Sequence, residues 1–135
     1  MKLVLTRRRL LGGALFAATC STLGVRLERA AGPDEMVDAY AGLDAKVGLR
    51  ITGLGEAYLR RNPAERSLSR LAELIQNLHV KSFGAALHSG ESAMQAALDT
   101  AYRRDFAAGR HVCVEGWVLS LTEARLHAHR HLAVT

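Results

Sequence analysis

His111-Val112-Cys113-Val114-Glu115-Gly116-Trp117-Val118-Leu119-Ser120-Leu121-Thr122-Glu123 changes pattern three times within a few residues. His111 to Val114 alternates like a strand, Glu115-Gly116 is turn-like, and Trp117-Val118-Leu119 can return as the second strand of a hairpin. Ser120-Leu121-Thr122-Glu123 then has the form of a capping box. The Ser120 hydroxyl can accept from the Glu123 amide while the Glu123 carboxylate reaches back, so two amides that lack helical partners are satisfied. A terminal helix is expected from Leu121 to about His131. This stretch sets the fold class: a strand pair too short to stand alone must pack on helices.

The residues before it supply those helices. Asp34 can cap a helix carrying Met36, Val37, Tyr40, Leu43 and Val47 at helical spacing. Gly48, Gly53 and Gly55 interrupt the pattern, so a bend and a short second helix from about Leu54 are expected. Asn62-Pro63-Ala64-Glu65 marks a boundary, with Pro63 suited to the first turn of the next helix and Asn62 as its cap. Leu68, Leu71, Leu74, Ile75 and Leu78 form that helix's apolar stripe. Lys81 to Gly90 reads as a loop or partly helical connection. Ser89 can cap a further helix with Met94, Ala97, Leu98, Ala101, Tyr102 and Phe106 on one side, closed by Gly109.

The N-terminus has a different character. Thr6-Arg7-Arg8-Arg9-Leu10-Leu11 fits the twin-arginine pattern, and a mildly apolar run follows from Leu10 to Val25. A membrane span needs roughly 20 predominantly apolar residues. This run is shorter and is interrupted by Gly12, Gly13, Thr19, Ser21, Thr22 and Gly24. A cleaved signal peptide is the better reading. Cys20 follows Ala17-Ala18-Thr19, which lacks the Leu usual before a lipidated cysteine, so a lipid anchor is not expected. The expected organisation is therefore a signal peptide at 1–24, a linker at 25–33 and one domain at 34–135. That domain should be mainly α, a small helical unit with a short β-hairpin before its C-terminal helix.

Charge supports the division. The chain's formal net charge is +5, from 18 basic and 13 acidic residues, and Lys2, Arg7, Arg8 and Arg9 lie in the signal. Without them the two signs nearly balance and are mixed along the chain. A nucleic-acid protein shows a basic patch within its folded domain, so that class falls away.

Sites of chemistry are few. His127 and His131 are four apart and can share one helix face, a known metal-ligand spacing. A metal centre needs a third protein ligand, for which His111 or Glu115 from the hairpin are the nearest candidates. With His129 on another face and Arg130 adjacent, the expected role of this cluster is that of solvated residues at a helix C-terminus. No metal is therefore assigned. His79, His88 and His111 are expected at the surface or its boundary, and Asp99 and Asp105 in surface pairs with Arg103 and Arg104. Cys113, set between two valines, is expected to be a buried, inert thiol. Ser89-Gly90-Glu91-Ser92 lacks the frame of a nucleophile elbow, and Gly53-Leu54-Gly55 lacks that of a dinucleotide site. No catalytic residue and no cofactor are expected. Trp117, the single tryptophan, is read as core packing, with an interface anchor as the functional alternative.

Two pieces of the chain resemble small twin-arginine-exported bacterial proteins. One is Gly55-Glu56-Ala57-Tyr58-Leu59 with Asn62-Pro63 behind it. The other runs from Asp105-Phe106-Ala107 through Gly109-Arg110 to Val114-Glu115-Gly116-Trp117-Val118-Leu119-Ser120-Leu121-Thr122-Glu123-Ala124-Arg125-Leu126. After Leu126 the chain departs from that pattern, with His127-Ala128-His129 where Cys and Ala are usual. These proteins are broadly similar to accessory subunits of periplasmic dehydrogenases. The resemblance implies a periplasmic or secreted, non-catalytic accessory or small subunit that aids a partner's export, folding or stability. Its partners would be a larger periplasmic dehydrogenase subunit and the twin-arginine export machinery, with membrane contact only during export. The alternative is a stand-alone periplasmic metal- or ligand-binding protein using His127 and His131.

Overall fold

The computed structural model describes residues 33–47 and 53–135. The twin-arginine motif Thr6–Leu11, the rest of the signal with Cys20, the linker up to Gly32, and Gly48 lie outside the described residues. Five helices and a hairpin follow in order: α1 (Pro33–Val47), α2 (Leu54–Arg61), a 3-10 turn (Pro63–Glu65), α3 (Leu68–Leu87), α4 (Glu91–Ala107), β1 (His111–Val114), β2 (Trp117–Ser120) and α5 (Leu121–Ala133). The fold is mainly helical with a two-stranded hairpin before the last helix. None of the described helices is long and apolar enough to cross a membrane.

The hairpin pairs antiparallel in the register His111 with Ser120, Val112 with Leu119, Cys113 with Val118 and Val114 with Trp117. Its two-residue turn places both Glu115 (φ 49°) and Gly116 (φ 81°) in the left-handed region. Positive φ at both central residues is what matches a turn to the twist of the strands. Val114 and Leu119 are buried, Val112 and Trp117 half-buried. Period two then turns Cys113 and Val118 to the outside. Cys113 is therefore an exposed thiol and not a buried one. At the end of β2 the Ser120 hydroxyl accepts from the Glu123 amide at 3.0 Å, and α5 begins there.

Several boundaries differ from those the sequence suggests. α1 starts at Pro33, so Asp34 sits in its first turn instead of capping it. Pro63 opens only the 3-10 turn. The cap of α3 is Ser67, whose hydroxyl accepts from the Arg70 amide, while the Asn62 side chain donates to the Tyr58 carbonyl. α3 then continues through Gly84 to Leu87, so most of the expected connection is helix. Phe83 explains the continuation: it is fully buried and stacks on Tyr40 with centroids 3.9 Å apart. That packing outweighs the roughly 1 kcal/mol cost of a mid-helix glycine. Gly90 (φ 99°), not Ser89, precedes α4, and the Ser89 hydroxyl donates to the Ala85 carbonyl. Leu68, Leu78 and Phe106, expected on buried faces, are about two-fifths exposed or more.

Two apolar clusters form the core. One joins α1, α3 and α4 through Val37, Tyr40, Ile75, Phe83 and Leu98. The other joins α2 and the hairpin through Leu54, Tyr58, Leu59, Val114 and Leu119. α5 lies between them, giving Leu126 to the first and Ala124 and Ala128 to the second. It packs against α1, α2, α3 and α4 as well as the hairpin. Small residues let it approach α2 closely. A Cβ added at Gly55 would meet the His127 backbone carbonyl carbon at 2.7 Å and the His131 Cβ at 2.9 Å.

Candidate functional site

α5 is central yet rich in polar residues. A helix surrounded by protein is ordinarily apolar all round, but this one buries Thr122, Arg125 and His129, with His127 only slightly exposed. Burial of such groups is costly without partners. Three polar junctions lie along the helix, each with a different neighbouring element; the first two supply hydrogen bonds, and the third sets His127 and His129 beside carboxylates without one.

The first junction fixes its N-terminus. Asp105 of α4, fully buried, accepts from the Thr122 amide at 2.8 Å and from Arg110 Nε at 2.9 Å. The carboxylate thus satisfies an orphan donor of the first helical turn and is favoured by the dipole there. His79 Nε2 and the Thr122 hydroxyl share a 2.7 Å hydrogen bond on the same side. Burial pushes the His79 imidazole below its ordinary range, with Asp105 pulling the other way. Asp105 and His79 were both expected at the surface or its boundary; the structure corrects both. Leu98, Ala101, Tyr102 and Asp105 share one face of α4, so the carboxylate enters the core beside its apolar neighbours.

The second junction is a clamp between Glu65 and Arg125, residues far apart in sequence. Arg125 donates from Nε to Glu65 Oε2 at 3.0 Å and from Nη2 to Oε1 at 2.7 Å. This two-pronged geometry is the strong form of the Arg–carboxylate pair. The Tyr58 hydroxyl donates to Glu65 Oε2 at 2.7 Å, and burial pushes that phenol up to about 12. Burial also raises the Glu65 carboxyl, but the Arg125 and Tyr58 bonds outweigh it and hold the group below its usual range.

The third junction faces α1. The Tyr102 hydroxyl of α4 donates to Asp44 Oδ1 at 2.6 Å, and the other Asp44 oxygen lies 3.5 Å from His127 Nε2 without a hydrogen bond between them. Burial raises Asp44 and lowers His127. One turn-half further on, His129 is buried with Nδ1 3.5 Å from Asp38 Oδ1, again without a hydrogen bond. The histidines of this helix are therefore not a solvated terminal cluster; α1 packs over His127 and His129. An imidazole oriented by a carboxylate has the makings of an acid–base pair. Here, however, the Asp44 and His127 side chains are 4% and 11% exposed, and the adjoining hydroxyl is committed to Asp44. The arrangement joins three helices.

The candidate metal ligands are not brought together. His127 faces Asp44, while His131 is half-buried close to Gly55 of α2. Of the suggested third donors, His111 is exposed and stacks with Phe106, and exposed Glu115 lies 3.6 Å from Arg60. Among the described residues no group of three or more His, Cys, Asp or Glu is placed to hold a metal ion. Trp117 is half-buried and packs on the second apolar cluster. A groove of about 210 Å³ lies between α1 and the start of α4, lined by Asp38, Ala39, Gly42, Leu43, Lys46, Glu91 and Met94. Sites for small molecules are ordinarily about 300–1,000 Å³, so this one is too small for a typical organic ligand. Comparison with protein-family models, curated proteins and solved structures gives no match.

Proposed function

We propose that this chain is an exported, non-catalytic accessory subunit that accompanies a larger oxidoreductase through the twin-arginine route and supports its folding or stability. The observation that carries the reading is the hexad Thr6-Arg7-Arg8-Arg9-Leu10-Leu11 ahead of a small domain. That route is associated with cargo that crosses the membrane folded. The interior agrees with a supporting role, because its buried carboxylates, arginine and histidines are each set against a neighbouring element of the fold. Apolar side chains left exposed on and beside the hairpin, Val118 and Phe106, are available to a protein partner, with Trp117 bracing the strand beneath them.

The test is deletion and capture together. Deleting the gene for this chain should strand one cofactor-containing dehydrogenase, itself without an export signal, in the cytoplasm. The tagged full chain should then co-purify with that same enzyme. Normal export of every periplasmic dehydrogenase in the deletion strain would overturn the proposal.

A further inference from the structure

α5 is not held uniformly. Its first half is fixed by the Ser120 cap, the Asp105 bond to the Thr122 amide and the two-pronged Glu65–Arg125 clamp, whose bonds hold the Glu65 carboxyl below its usual range. Its second half meets α1 through His127 and His129, whose inward nitrogens lie 3.5 Å from Asp44 and Asp38 without hydrogen bonds. A buried ring nitrogen with no bond and a carboxylate just out of reach is a poorly satisfied contact at neutral pH. Adding a proton places a charge on imidazoles that are 11% and 2% exposed. Asp44 beside the first is buried as well, while Asp38 beside the second is 61% exposed, so water screens its charge and it offsets little of the cost.

We infer that the seam between α1 and the C-terminal half of α5 is a proton-operated latch. In mild acid His127 and His129 take up protons and residues 127–133 loosen from α1, while residues 121–125 stay anchored. The groups facing each imidazole decide the direction. His127 meets Asp44, which is itself buried and held by Tyr102 of α4, with Arg130 on the same helix opposing the charge. His129 meets Asp38 and, further off, Asp34, both on α1. For both histidines burial is the larger influence and moves the imidazole below its ordinary value of 6.5.

The folded chain therefore binds fewer protons at these sites than the unfolded chain. Their contribution is fully present above that ordinary value and is lost as pH falls toward the folded-state value. Within that window each histidine raises the opening equilibrium by up to about tenfold per pH unit. Asp44 works in the opposite sense, since burial raises it and its folded form takes up a proton early. His79 lies at the anchored end, faced by Asp105, Arg110 and Arg104, and adds to global acid sensitivity without acting on the α1 seam.

Amide hydrogen exchange on the full chain, between about pH 8 and 5 and corrected for intrinsic rates, reads the latch directly. Residues 127–133 should lose protection up to about a hundredfold per pH unit for the two histidines together, while residues 121–125 hold theirs. His127→Gln/His129→Gln should flatten that dependence. If the variant does not fold, the imidazole proton shifts of the unaltered chain still decide: His127 and His129 should titrate below the ordinary imidazole value of 6.5. Uniform protection along α5, a pH dependence that survives the double substitution, or midpoints for His127 and His129 at or above 6.5 would each overturn the inference.

Discussion

Gly55→Ala isolates the contact on which the placement of α5 depends. In an isolated helix the change is favourable by about 1 kcal/mol, because alanine loses less backbone freedom. Here the added methyl would meet the His127 carbonyl carbon at 2.7 Å and the His131 Cβ at 2.9 Å, with the carbonyl oxygen nearer still. Ordinary contact begins near 3.4 Å, and a backbone carbonyl cannot rotate aside as a side-chain end can. α2 and α5 must separate, loosening Leu54, Ala57 and Tyr58 against Ala124 and Ala128. Overpacking of this kind costs about 1–3 kcal/mol, and the rigid partner argues for the upper end. Set against the gain in helix propensity, the net loss is about 2 kcal/mol, or a fall in melting temperature of about 8–16 °C for a domain of this size. Gly42 and Gly84 are internal controls. Both are helical, neither has an atom within 4 Å of an added Cβ, and alanine at either should raise stability by up to about 1 kcal/mol. Thermal and urea denaturation of the three variants provides the assay. A Gly55→Ala protein that melts at or above the parent would refute the close approach of α2 and α5.

Other substitutions separate the remaining readings. Arg125→Ala leaves the Glu65 carboxylate in a largely buried position with only the Tyr58 hydroxyl to serve it, and should cost about 3 kcal/mol in urea unfolding. Trp117→Ala should cost about 2 kcal/mol, less than a fully buried tryptophan because the side chain is only partly buried, and should retain the partner in a capture assay run below the melting point. Val118→Asp, on the opposite face of the same strand, should melt within about 0.5 kcal/mol of the parent but lose the partner; retained capture would remove the hairpin face from the interface. Arg7→Lys/Arg8→Lys/Arg9→Lys keeps the charge and removes guanidinium geometry, so export should stop. Normal periplasmic accumulation of that variant would mean a general export route.

The hairpin, its two-residue turn, the Ser120 cap and the presence of a helix on either side of Asn62-Pro63 were legible because each rests on neighbouring residues. Period two, a pair of positive φ angles and a hydroxyl three residues before an amide are local matters. The burial of His79, His127 and His129 was not legible. A histidine at a helix end reads as solvated unless something covers it, and α1 from the far end of the domain covers His127 and His129; His79, inside α3, is buried where it meets Thr122 of α5. Cys113 shows the limit of reading by neighbours: valines on both sides suggested burial, but strand alternation sends the middle residue of such a triplet to the opposite face.

By itself the sequence determined the helical class, the hairpin before the last helix and an N-terminal segment with the twin-arginine pattern, since these follow from spacing and short-range chemistry. Only the tertiary structure decided that a helix rich in polar residues is the central one. Glu65 with Arg125, Asp44 with His127 and Asp105 with Thr122 meet across sequence separations that no local pattern encodes. A charged side chain enters the core only when a distant element brings a partner to it.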